Sequence, residues 1–180
     1  MDSASTNTVP LVFIYMGTPI PRYAQHSLTI ARQHYDGPVI LISDVDGQRV
    51  PGGVNLVRTS GWYDRKKFTA FEEASPLDSL FAGGFWLLAA ERLFVLEQFM
   101  IRHGIPKLFH AELDVFISDL GGFSAYLDGH GLGLFAPMDH PGRALASLVY
   151  VNEPKALSEL VDYAIEHVTL GDEMRILVCF

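Results

Sequence analysis

The 180-residue sequence has one cysteine, Cys179, so no disulfide can close within it, and a reducing, cytosolic setting is expected. Charged residues are only 19% of the chain, with a net charge of −8. That balance argues against a general nucleic-acid or anionic-membrane surface. The first ten residues, MDSASTNTVP, lack the apolar core of a secretory signal. The longest greasy stretch, FAGGFWLLAAERLFVLEQFMI, is broken by Glu91, Arg92, Glu97 and Gln98, so it reads as a buried helix and not a membrane span. The usual chemical signatures are missing too. The turn after the first apolar run is GTPIPR, which is no dinucleotide fingerprint, and there is no Walker A sequence, no nucleophile elbow, no H-E-x-x-H and no zinc spacing. GHGLG at 129–133 reads as a turn, and of the seven histidines His110 reads as a packed strand residue and His130 and His140 as loop residues.

What is present is periodic. LVFIYMG (11–17) and VILISD (39–44) are continuous apolar runs, as strands covered on both faces would be, and VNLVRT (54–59) reads as a third. Between the first two, Ala24, Leu28, Ala31 and Tyr35 recur at helical spacing, predicting a helix over 22–35. A long helix is expected over 85–102, with Glu91, Gln98 and Arg102 on one stripe and Arg92 about 100° away from Glu91, among apolar flanks. A strand over 107–117, two short strands in GLGLFAPM and SLVYVN, and a helix over 155–168 complete the pattern. SGWYDRKKF, in the mixed stretch 60–82, reads as either a solvated loop or a mobile cover. The succession predicts one Rossmann-like α/β domain over 1–180, with a mostly parallel central sheet and flanking helices.

In such sheets ligands sit beyond the carboxyl ends of the strands. Gly17, Asp44 and the pair Glu112 and Asp114 all fall there. In FHAELDVFISD the two carboxylates are two residues apart, so a continuous strand would point both to one face. Two readings stand: a divalent cation shared with a substrate diphosphate, for which hard oxygen ligands suit Mg²⁺ or Mn²⁺, or an ion pair between one carboxylate and an arginine.

The ordered set FIYMG, VILISD, FWLLAAERLFVLEQFM, LFHAELDVFI and SLVYVN resembles bacterial nucleotide-sugar-dependent glycosyltransferases of the GT-A fold, over about residues 11 to 178. Their short acidic motif, D-x-D or a variant, holds the metal on the donor diphosphate, and ELD at 112–114 would be the variant here. The resemblance implies that Tyr15, Met16 and Gly17 line the nucleotide pocket and that Asp44 faces the base or ribose. Arg92 would reach the diphosphate or steady the acidic motif, and the alternative for it is a buried ion pair to one of the carboxylates. Glu112 and Asp114 would bind Mn²⁺ or Mg²⁺. Asp172 and Glu173 are candidates for a catalytic base, beside a structural reading as helix cap and first-turn acid. The function expected is metal-dependent sugar transfer from a nucleotide-diphosphate donor to an unknown acceptor. A weakly catalytic nucleotide-sugar-binding domain and a metal-dependent phosphohydrolase are the alternatives. The apolar ending ILVCF adds two expectations: a domain incomplete at its C-terminus, and self-association through an uncovered face.

Overall fold

The computed structural model describes residues 9–77, 84–117, 120, 122–170 and 173–180. A six-stranded sheet carries the order β3-β2-β1-β4-β8-β5. Its strands are β1 (Leu11–Ile14), β2 (Val39–Ser43), β3 (Val54–Arg58), β4 (Leu108–Ala111), β5 (Leu134–Phe135) and β8 (Leu148–Val151). The first four in spatial order run parallel, while β8 is antiparallel to both β4 and β5. A small hairpin of β6 (Met138–His140) and β7 (Arg143–Ala144) stands apart. The helices are α1 (Arg22–His34), α2 (Lys66–Ala74), α3 (Phe85–His103), α4 (Phe123–Asp128), α5 (Pro154–Glu166) and α6 (Glu173–Cys179). Among the described residues no helix is long and apolar enough to cross a membrane.

The unbroken apolar runs have a simple cause. Every residue of β1 and β2 is buried, because helices cover both faces. On one face Leu11, Phe13, Leu41 and Phe109 pack against Ala24, Leu28 and Ala31 of α1. On the other, Val12, Ile14, Ile40 and Ile42 share a core with Phe94, Val95 and Phe99 of α3 and with Leu157, Leu160 and Val161 of α5. Each fully buried side chain of this size contributes about 1.5–3 kcal/mol. Pro154 opens α5, where a missing N–H costs nothing. Gly104, at φ +61°, closes α3, and the Ile105 N–H reaches back to the Met100 carbonyl at 3.0 Å.

Two expectations need correction. The strand expected over 107–117 pairs only from Leu108 to Ala111. After Ala111 the chain turns, with the Val115 N–H on the Glu112 carbonyl at 3.1 Å. The stretch SGWYDRKKF is neither a free loop nor a cover. Lys66 opens α2, and residues 62–67 are stitched to neighbouring helices. Asp64 and Gln98 exchange two hydrogen bonds, 2.8 Å and 2.7 Å long. Arg65 and the Tyr63 hydroxyl both donate to Glu91, at 2.7 Å and 3.0 Å. Lys67 bridges Glu97 of α3 to Asp162 of α5, at 3.0 Å and 2.9 Å. Glu91 and Glu97 are buried, so these bonds satisfy charges that water cannot reach.

Candidate functional site

β1 delivers Tyr15, Met16 and Gly17 to the carboxyl edge of the sheet, with the Tyr15 N–H still held by the Ile42 carbonyl at 3.0 Å. The chain then needs a left-handed residue, and Gly17 supplies it at φ +84°. Asp44, just past β2, holds that turn: its Oδ1 accepts the Gly17 N–H at 2.8 Å. The exposed Asp44 side chain is thus a brace for the loop.

A cleft of about 600 Å³ opens at this edge. Tyr15, Met16, Gly17 and Tyr23 line it on one side, and Leu88 and Arg92 of α3 on the other. Arg92 crosses to the strand-end acidic residues. Its Nη2 lies 2.5 Å from Glu112 Oε1, and its Nε donates to the Ala89 carbonyl at 3.1 Å. Both side chains of the pair are largely buried, which strengthens the attraction beyond that of a surface pair. Glu112 is fixed through its backbone as well, its N–H bonded to the Ser147 carbonyl at 3.0 Å. Asp114, two residues on, is exposed and makes no hydrogen bond or ion pair among the described residues.

The expected strand placed both carboxylates on one pleated face; the turn instead separates them into a tethered Glu112 and a free Asp114. They still act on one region. The Tyr23 hydroxyl is raised above the ordinary tyrosine range, first by burial and then by the charges of Tyr15, Asp114 and Glu112. Beneath them His110 is buried, with Nδ1 3.0 Å from the Val12 carbonyl. Burial, and secondarily Arg92, push this imidazole down to about 3, so it stays neutral. It is a packed strand residue, as its position suggested.

Tyr15, Met16, Gly17 and Arg92 therefore meet in one cleft, with Glu112 bonded to its rim and Asp44 bracing its loop. Asp172 lies outside the described residues. Glu173 opens α6, and its side chain lies outside them also. Tyr23 was missed by sequence reasoning. Its signal was modest: an aromatic in the first turn of the helix that follows β1. No group of three His, Cys, Asp or Glu residues able to hold a metal occurs among the described residues.

No protein-family model matches the sequence, and no curated protein matches it. Solved structures do. An active-site mutant of LgtC superposes with a TM-score of 0.55 at 14% identity, covering 94% of this chain and 69% of that one. The chain has the GT-A glycosyltransferase fold. The galactosyltransferase LgtC in complex with donor and acceptor sugar analogues gives a TM-score of 0.53 at 13% identity, with the same coverage of 94% and 69%. The apo-form glycosyltransferase GlyE of Streptococcus pneumoniae TIGR4 stands at 0.49 and 14%, covering 94% of this chain and 42% of that one. At such identities the likeness establishes the GT-A fold and leaves the chemistry to the residues of the cleft.

Proposed function

We propose that this chain binds a nucleotide-diphosphate sugar in the cleft at the carboxyl edge of its sheet and transfers the sugar to an acceptor hydroxyl. The observation that carries the reading is the convergence of the Tyr15–Gly17 loop, Arg92 and the Arg92-bound Glu112 at one cleft of a GT-A fold. The cleft volume, about 600 Å³, suits a ligand of nucleotide-sugar size. Tyr15 and Tyr23 offer aromatic faces for a base or sugar, and Arg92 offers donors to a diphosphate. In transfer, the bond from the anomeric carbon to the diphosphate oxygen breaks and a bond to the acceptor oxygen forms. The nucleoside diphosphate and the hydroxyl proton leave.

Glu112 and Asp114 fit a divalent cation in part. Glu112 turns one oxygen to Arg92, which leaves its second oxygen and the whole Asp114 carboxylate as hard donors. Mg²⁺ commonly takes one or two protein carboxylates and completes its shell with substrate phosphates and water. When bound, such an ion supplies Lewis-acid stabilisation of the departing diphosphate. Arg92 neutralises charge at the same place, so a cation-independent site is the second reading.

A thermal-shift panel of UDP- and GDP-sugars with and without Mn²⁺ tests this. Ligand at a hundredfold its Kd should add about 2.7 kcal/mol, raising Tm by roughly 5–10 °C for a chain of this size. An added shift with Mn²⁺ supports the carboxylate site, and an equal shift without it supports the second reading. If no nucleotide diphosphate shifts Tm at millimolar concentration, the donor assignment is wrong. Product analysis then separates sugar transfer from binding alone and from phosphate release.

A further inference from the structure

The loop between β1 and α1 is held from outside the cleft that it lines. Its run Thr18-Pro19-Ile20-Pro21 leaves one backbone donor over residues 19–21, because proline has no N–H. That donor, the Ile20 N–H, bonds Gln48 Oε1 at 2.9 Å. Three residues earlier the Gly17 N–H bonds Asp44 Oδ1 at 2.8 Å. Five residues later Gln25 Nε2 donates to the Arg49 carbonyl at 2.8 Å. All three acceptors belong to one segment, 44–49, which follows β2. The bonds bracket residues of the cleft: Thr18 lies between the first two along the chain, and Tyr23 lies two residues before the third. Gln48 itself does not line the cleft.

Segment 44–49 is fixed in its turn. Arg58, at the end of β3, donates to the Val45 carbonyl and pairs with Asp46 at 3.2 Å. The Val45 N–H reaches back to Ser43 Oγ at 3.3 Å. Both ends of the Gln48 amide are used, since its Nε2 donates to the Arg49 carbonyl at 2.7 Å. Ile20 adds an apolar anchor: its side chain is 8% exposed and shares a core with Phe13, Leu28 and Leu41. Hydrogen bonds on the backbone and a buried side chain beneath it thus define the path of the loop.

We propose that Gln48 is a positioning residue for nucleotide binding: through Ile20 it holds residues 15–23 in their binding form before a ligand arrives. The role rests on the nucleotide-sugar reading of the cleft. The entropy of ordering the loop is then met on folding and not on binding, which raises affinity. A loop released from Gln48 is competent for only a fraction of the time, and the apparent Kd rises as that fraction falls.

Calorimetry with UDP and with GDP, Mn²⁺ present, and NMR amide exchange of the ligand-free chain test this together. In wild type the Ile20 amide should exchange slowly without ligand. Gln48→Met removes the acceptor. It should release the Ile20 amide, leave those of β1 and β2 protected, and raise Kd about threefold to tenfold, the effect of losing one hydrogen bond. Gln48→Glu keeps an acceptor for Ile20 and should stay within about twofold of wild type. A merely structural role would lower stability and leave Kd, measured well below Tm, unchanged. Four results would each overturn the assignment and leave the nucleotide reading standing: a freely exchanging Ile20 amide in wild type, an unchanged Kd in Gln48→Met, an equal loss in Gln48→Glu, or lost protection that spreads through β1 and β2. Wild type that binds neither UDP nor GDP would remove that reading, and the role of Gln48 with it.

Discussion

Replacing Asp128 with asparagine tests whether a charge, and not merely a shape, ties the end of α4 to β8. Asp128 closes α4 and faces three donors: Lys107 Nζ at 2.7 Å, the Tyr150 hydroxyl at 2.8 Å and Asn152 Nδ2 at 2.9 Å. Asn152 in turn accepts the Gly133 N–H at 2.7 Å and donates to the Gly131 carbonyl at 2.9 Å, which ties the glycine-rich turn to the end of β8. The hydrogen bond from Lys107, followed by those from Asn152 and Tyr150, lowers the Asp128 carboxyl from 3.8 to about 2. Fully expressed, that depression would be worth roughly 2 kcal/mol. The side chain is 33% exposed, and solvent screening reduces the expectation to about 1 kcal/mol. The sign follows from proton uptake. The unfolded chain binds the proton first as pH falls, so the contribution is complete well above 3.8, declines below it, and is gone once pH has passed below about 2. Urea unfolding of wild type and Asp128→Asn should therefore differ by about 1 kcal/mol at pH 7, and by roughly half of that at pH 3. A difference that stays constant from pH 7 to pH 3 would refute the electrostatic account and assign Asp128 a purely steric or neutral hydrogen-bonding role.

Asp114→Asn should reduce Mn²⁺-dependent nucleotide-diphosphate affinity in calorimetry while moving stability by less than about 0.5 kcal/mol, because the side chain is exposed and unbonded; unchanged metal dependence would remove it from the site. Arg92→Met should weaken nucleotide-diphosphate binding at least about tenfold with or without Mn²⁺, the cost of roughly one charge-assisted contact; unchanged affinity would leave Arg92 as a structural partner of Glu112 only. Arg65→Met leaves the buried Glu91 carboxylate with only the Tyr63 hydroxyl donating to it among the described residues. Urea unfolding should register a loss of about 1–3 kcal/mol, below that for a fully buried pair because Arg65 is itself half-exposed.

The parts of the fold that were legible are those where one physical cause writes a pattern. β1 and β2 were readable because both faces are covered, and α5 because one face is: Ala156, Leu157, Leu160, Val161 and Ala164 are buried as their spacing required, and Ile165, expected on the same face, is partly buried against the core. α2 and α4 write weaker patterns. α2 buries only Phe68 and Phe71, and α4 buries nothing, so periodicity had little to report. β4 was over-extended for a different reason. Leu113 and Ile117 remain buried at 5% and 4%, so the alternation of side chains outlives the backbone pairing that ends at Ala111. Alternating burial signals a chain lying along a surface, and it does not by itself signal a hydrogen-bonded ladder.

The site was half legible on the same terms. Strand ends advertise themselves, so Gly17, Asp44, Glu112 and Asp114 could be named from position alone. Partners brought together by tertiary packing could not. Glu91 and Gln98 share the polar stripe of α3 with Arg102, and Glu91 is only 2% exposed. The stripe is where residues 63–65 dock, and its polar atoms meet Tyr63, Asp64 and Arg65. The informative mark was the misfit beside it. Arg92, about 100° away from Glu91, stood among apolar flanks, with Leu88, Ala89, Val95 and Leu96 three and four positions away. A cation so placed must find its anion on another element, and it does at Glu112. α3 thus carries adjacent charges that point to different partners, Glu91 to the docked segment and Arg92 to the cleft. Rotation of the helix about its axis is constrained from both sides, which gives the cleft a fixed guanidinium on a rigid element rather than on a loop.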